Sequence, residues 1–149
     1  MPILGWKYNM DNIRAALLVG QLARIDELWK RRDKLAKNYE QAFSKTARIR
    51  LMTTAPSTRH ARHLFTIQVE DGRRDEVISF LQGKEIGVAV NYGVIHLLKY
   101  YREKFGSHEG NFPVAEEIGR RTISLPLYPR LQENEQAYVI RIVQETLNS

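Results

Sequence analysis

Leu64-Phe65-Thr66-Ile67-Gln68-Val69-Glu70-Asp71-Gly72-Arg73 holds the change of period on which the fold turns. Phe65, Ile67 and Val69 share one side of an extended chain, the two-residue repeat of a half-buried strand. Asp71-Gly72 reads as a turn. From Arg73 to Lys84 the apolar spacing becomes that of a helix, with Val77, Ile78, Phe80 and Leu81 expected inward. Downstream, Gly87-Val88-Ala89-Val90-Asn91-Tyr92 predicts a second strand. Pro113 fits the first turn of a short helix through Ile118, where its missing N–H costs nothing. Ser124 to Pro129 is expected to be extended, because each Pro disfavours helix in the residue before it. A last amphipathic helix over Glu133–Leu147 places Val139, Ile142 and Val143 inward.

Upstream, Arg48-Ile49-Arg50-Leu51 is a weaker strand candidate. The longest periodic segment runs from Asp11 to Phe43, with Leu18, Leu22, Ile25, Trp29, Ala36, Tyr39 and Phe43 at three- and four-residue steps and Arg32 interrupting. Asp11 or Asn12 supplies an N-cap, and Ile13, Ala16 and Leu17 are expected to begin the buried face. A helix of about 30 residues would span about 45 Å, longer than a compact domain of this size is wide, so it is expected to reach toward something else. Its Lys30-Arg31-Arg32-Asp33-Lys34 run reads as a solvated face. The pattern is one α+β domain over 1–149, with a linking helix over 1–43 and the small sheet and its helices over 44–149.

Composition narrows the classes. The 149 residues are 43% hydrophobic and 27% charged, ordinary for a globular chain and unlike a disordered or collagenous one. With no Cys there are no disulfides, thiolate nucleophiles or Cys-based zinc sites. No apolar run approaches the ~18 residues of a membrane span, and Met-Pro-Ile-Leu-Gly-Trp-Lys has no signal-peptide core, so the cytoplasm is the expected compartment and no membrane partner is expected. A net charge of +6 suits nucleic acid or phosphorylated small molecules without choosing between them.

Most catalytic patterns are missing. There is no Gly-rich phosphate loop, and Gly83-Lys84-Glu85 reads as a helix end. His60 and His63 precede a strand, where a three-residue spacing separates the side chains, so no metal site is expected. Glu116-Glu117 and Glu133/Glu135 read as helix-start carboxylates at a positive dipole end. Two segments stand out. Gly5-Trp6-Lys7-Tyr8-Asn9-Met10 could present Lys7 and Asn9 to an anion at a helix start. Asn91 to Arg102 releases Tyr92, His96, Lys99 and Arg102 into a loop after a strand.

At these residues the chain resembles the DegT/StrS family of PLP-dependent aminotransferases, which act on nucleotide-linked keto sugars. The likeness begins over Gly5–Ala16, the segment that follows the cofactor lysine in the family. It continues through Gln21-Leu22-Ala23-Arg24-Ile25-Asp26-Glu27-Leu28 and Arg31-Arg32, His60-Ala61-Arg62-His63-Leu64-Phe65, Glu85-Ile86-Gly87, and Val90-Asn91-Tyr92 with His96 and Tyr100-Tyr101. It closes with Phe112-Pro113-Val114-Ala115-Glu116 and Ser124–Pro129.

The resemblance implies the small C-terminal domain of a fold-type I enzyme, with a small antiparallel sheet and flanking helices, and a homodimer. It covers roughly the last two-fifths of such an enzyme; the large PLP-binding domain, with the aldimine lysine and the acid beside the pyridine nitrogen, lies outside it. No catalytic residue is therefore assigned, and the chain alone is expected to bind PLP weakly or not at all and not to transaminate. Lys7 and Asn9 match the segment that reaches a partner subunit's PLP phosphate. Tyr92, His96 and Lys99 match the loop on the sugar-nucleotide side. The Lys7-Tyr8-Asn9 form looks like the branch making aminoarabinose for lipid A. Arg62 stands where members often have Trp, and Asn91 where they often have His, departures that bear on sugar choice. Glutamate is the expected amino donor. The alternative is a stand-alone basic module that binds nucleic acid or dimerises; exposure of the first helix's apolar face would then favour self-association.

Overall fold

The computed structural model describes residues 8–148, with side chains through Leu147. Helix α1 spans Asn12–Leu22 and α2 Ile25–Phe43, followed by β1 at Ile49–Leu51, β2 at Phe65–Val69 and α3 at Arg74–Gly83. A single 3-10 turn at Ile95–Leu97 precedes α4 (Lys99–Phe105), α5 (Pro113–Arg121), β3 (Thr122–Leu125) and α6 (Glu133–Asn148). The sheet has the order β1-β2-β3 and is antiparallel throughout, with Ile49 opposite Val69 and Ile67 opposite Ile123.

The central strand behaves as its alternation requires. Phe65, Ile67 and Val69 join Ile123 and Leu125 of β3 in one apolar cluster. That cluster is completed by Ala36, Tyr39 and Phe43 of α2, Val77 and Leu81 of α3, and Val139, Ile142, Val143 and Leu147 of α6. Gln68, the opposite-facing residue of β2, lies beside Pro113, Val114 and Ile118 of α5, so both faces of the sheet are covered. Several buried polar groups are paired, whereas the Ser124 hydroxyl of β3 is buried without a hydrogen bond. The Tyr39 hydroxyl donates to the Pro126 carbonyl at 3.1 Å, and its ring stacks on Phe65 at 4.8 Å. Burial, with Tyr128 nearby, pushes the Tyr39 phenol well above its ordinary pKa and keeps it a neutral donor. Gln136 Nε2 donates to the Leu35 carbonyl at 2.7 Å, joining α6 to α2.

Several expectations change. The N-terminal segment is not one helix: the chain turns at Ala23–Arg24, although no Pro interrupts it. Asp11 is the N-cap, accepting the Arg14 amide at 2.9 Å, but α1 buries nothing, and Ile13, Ala16 and Leu17 face solvent. With no packed face, α1 has nothing in the described residues to keep it in line with α2. The strand expected at 87–92 reduces to one bridge, Ala89 with Ser124, on the outer edge of β3. Phe80 is 42% exposed rather than inward, and the Lys84 ammonium lies 5.6 Å above its ring. In the basic run, Asp33 is buried and Arg32 half-buried, so only its neighbours form a solvated face. The helix from Pro113 extends to Arg121, one turn past Ile118.

Candidate functional site

The segment that follows the Ala89 bridge runs along α5, with Val94 against Gly119 near the helix end and His96 against Glu116 near its start, and carries Tyr92. Gly119 is what lets it sit there: a Cβ at that position would meet Val94 Cγ2 at 2.5 Å. A cavity of about 670 Å3 lies between this loop and α4–α5, lined by Tyr92, His96, Tyr101, Phe105, Phe112 and Ile118 among others. Its volume falls in the usual range for small-molecule sites, and its walls are mostly aromatic and aliphatic.

His96 is the buried polar group of this cavity. Its ring meets Phe112 edge-on at 4.8 Å, and Nε2 lies 2.9 Å from Glu116 Oε1. Glu116 is 2% exposed and also accepts the Gly110 amide at 2.9 Å and the Phe112 amide at 3.2 Å. Desolvation by itself would raise the Glu116 carboxyl. The two amides and the His96 ring outweigh it and hold the group below its ordinary pKa. An ionised carboxylate only accepts hydrogen bonds, so His96 Nε2 carries a proton toward Glu116 and Nδ1 is the ring nitrogen left for a ligand. Glu116 lies in the first turn of α5, as its sequence position suggested, but its chief role is to fix a histidine ring twenty residues upstream. Sequence reading missed that pairing; the Phe112–Glu116 block was the signal at hand.

The structure gathers the sequence candidates unevenly. Tyr92, 69% exposed, and His96 line one cavity. Lys99 opens α4, faces solvent and lies 3.8 Å from Glu103, outside the cavity lining. Asn9 is exposed just before the α1 cap and is not part of that lining either. Lys7 lies outside the described residues. His60 and His108 each bond their own loop, through the Arg62 amide and the Glu109 carbonyl. Among the described residues no three His, Asp or Glu side chains converge as metal ligands would, and no helix is long and apolar enough to cross a membrane.

A Schiff-base lysine is ordinarily a desolvated amine in an enclosed site. Seven of the eight lysines are described, and all seven are exposed. The described residues therefore do not complete a PLP site; they offer one wall of a pocket with a fixed histidine.

A three-stranded antiparallel sheet under α2, α3 and α6 is an architecture this chain shares with fold-type I sugar aminotransferases. The chain belongs to the DegT/DnrJ/EryC1/StrS aminotransferase family, whose model matches residues 1–144. It is 36% identical over 146 residues to the spore coat polysaccharide biosynthesis protein SpsC of Bacillus subtilis (strain 168), covering 95% of this chain and 38% of SpsC. DesV of S. venezuelae, solved in complex with a ketimine intermediate, superposes with a TM-score of 0.88 at 35% identity, over 95% of this chain and 38% of DesV. Spr1654 of Streptococcus pneumoniae in its PLP-form gives 0.87 at 29% identity, over 94% of this chain and 36% of its own length. The chain thus spans about two-fifths of the length of the relatives it matches.

Proposed function

We propose that this chain is the small-domain portion of a cytoplasmic, homodimeric PLP-dependent enzyme that converts a nucleotide-linked keto sugar to an amino sugar, with glutamate as donor. The buried Glu116–His96 pair in a mostly apolar cavity carries the reading, because it sits on the loop that resembles the family's sugar side. PLP supplies the electron sink for amino transfer when the rest of the enzyme holds it. This chain's own part is to bind and orient: His96 offers Nδ1 to a sugar hydroxyl, Tyr92 forms the cavity's outer wall, and Lys99 is the exposed cation for the nucleotide. Lys7 and Asn9 are assigned to the phosphate of a partner subunit's PLP. The match to SpsC supports a surface-polysaccharide product, and the Lys7-Tyr8-Asn9 form supports the aminoarabinose of lipid A.

The test is amination of nucleotide-linked keto sugars by the full-length protein with PLP and glutamate, read by mass as the amino-sugar nucleotide. Turnover is expected from the full-length protein and none from the 149-residue chain. A keto pentose as the preferred substrate assigns the aminoarabinose branch, and a keto hexose the polysaccharide one. Amination by the 149-residue chain itself, or none by the full-length protein, overturns the reading.

A further inference from the structure

A second cavity, of about 690 Å3, opens between the first half of α2, residues 59–63 and the turn at 127–129. It shares no lining residue with the His96 cavity. Its charged lining is unbalanced: Arg32 and Arg59 face a single carboxylate, Asp26, with the His60 and His63 imidazoles beside them. Asp26 is already matched, since Arg59 Nη2 reaches its Oδ1 at 3.0 Å. The same Arg59 guanidinium lies 3.9 Å over the Trp29 ring, so that aromatic face is taken and no second ring can stack on it.

Arg32 and Arg74 each bury an Nε that makes no hydrogen bond, but Arg74 Nε lies 2.6 Å from Asp75 Oδ1, whereas no ion pair among the described residues reaches Arg32. Its Nε is buried in the cavity wall with no hydrogen-bond partner among the described residues, yet a guanidinium cannot lose its charge to escape. A buried, unmatched cationic donor is costly unless something anionic satisfies it. The rim around it is fixed in place. Trp29 Nε1 donates to the His60 carbonyl at 2.8 Å, tying residues 59–61 to α2. The Arg62 amide donates to His60 Nδ1 at 2.9 Å, which leaves Nε2 as the protonated nitrogen of that ring. Arg62 itself holds a left-handed φ of 52°, a strained geometry for a residue with a side chain. Ion pairs to Asp33 at 2.8 Å and Glu40 at 2.7 Å keep it there.

We propose that this cavity binds an oxyanion of the phosphoryl class, gripped by Arg32 together with Arg59 and the His60 Nε2–H. Donors on three separate side chains suit the several oxygens of a tetrahedral group better than the two in-plane oxygens of a carboxylate. The site is separate from the Glu116–His96 cavity and does not depend on the transamination reading. The same chemistry has two sources, a free phosphate ion or the diphosphate of a nucleotide.

The chain contains two Trp, so Trp6→Phe leaves Trp29, which lies in the cavity, as its only indole reporter. Its emission is titrated with inorganic phosphate and with uridine diphosphate, against sodium chloride at matched ionic strength. A saturable change is expected with phosphate or the diphosphate but not with chloride, and Arg32→Gln should weaken it by about tenfold or more. Arg141→Gln, on the outer face of α6, should leave the affinity unchanged. Tighter binding of the diphosphate identifies a nucleotide as the source, and equal binding the free ion. Should Arg32→Gln not fold, Arg59→Gln, whose side chain is largely exposed, provides the same comparison. No saturable response to either anion, or equal affinity in the arginine variants, overturns the proposal.

Discussion

Helices α1 and α2 carry the same apolar spacing, yet they meet opposite fates. α2 buries Leu35, Ala36, Tyr39 and Phe43, whereas α1 leaves Ile13 at 78% and Leu17 at 68% exposure. Amphipathic spacing states that a face is to be covered; it does not state by what. α2 finds its cover in β2 and α6 of this chain. α1 finds none among the described residues, in a chain spanning 38% of its relatives' length.

The sharpest way to break this contrast is Phe43→Ala. It should cost about 3–5 kcal/mol of unfolding free energy in urea, as deletion of a buried aromatic ring does. A cost near zero would mean that α2 is no better packed than α1. Next in size, Gly119→Ala should destabilise by about 1–3 kcal/mol and shift the NMR signals of Val94 and His96, because the added carbon overlaps Val94. Unchanged His96 signals would show that the loop is not seated on α5.

The acid limb tests the buried carboxylates. Glu116 and Asp33 both have depressed pKa values. For Asp33, desolvation opposes the shift, while Lys37 and Arg62 outweigh it. Each contributes stability that is fully present above its unfolded pKa, near 4.5 for Glu and 3.8 for Asp, and is lost as the pH falls through the folded value. Tm should therefore fall below about pH 4.5. Glu116→Gln should lower Tm at neutral pH and flatten that acid slope; an unaltered slope would remove Glu116 from the account. The smallest effect is expected from Leu17→Ser, within about 0.5 kcal/mol in this chain. A larger loss would show that α1 is covered after all, for instance by a second copy.

Local patterns made the backbone of the fold legible. The alternation of Phe65, Ile67 and Val69, the turn at Asp71-Gly72, Pro113 at a helix start and the stripe of Val139, Ile142 and Val143 all recur as the core elements. What the sequence hid depended on partners distant along the chain. The Ala23–Arg24 break has no Pro to mark it. Residues 87–92 alternate like a strand, but pairing stops at Ala89, because alternation cannot say how far a neighbour extends. Glu116 looked like a dipole-end carboxylate until the fold brought His96 to it. Arg32 looked like an interruption on a wet face, and the loop from residue 59 turned that face into a cavity wall. In the candidate site, Tyr92 and His96 were legible from their loop, whereas the group that fixes the histidine was not.

The contact between Gly119 and Val94 has a consequence for how such chains diverge. One side of it is a bare backbone carbon and the other a branched methyl, so the two positions draw on one fixed volume. A lineage that acquires Ala at 119 keeps the loop's seat only by shrinking residue 94, and a bulkier 94 requires that 119 stay Gly. The histidine ring has its hydrogen bond to Glu116 and its ring contact with Phe112, yet positions 94 and 119 should change in concert across related sequences, leaving a covariation signal that marks the loop's anchor.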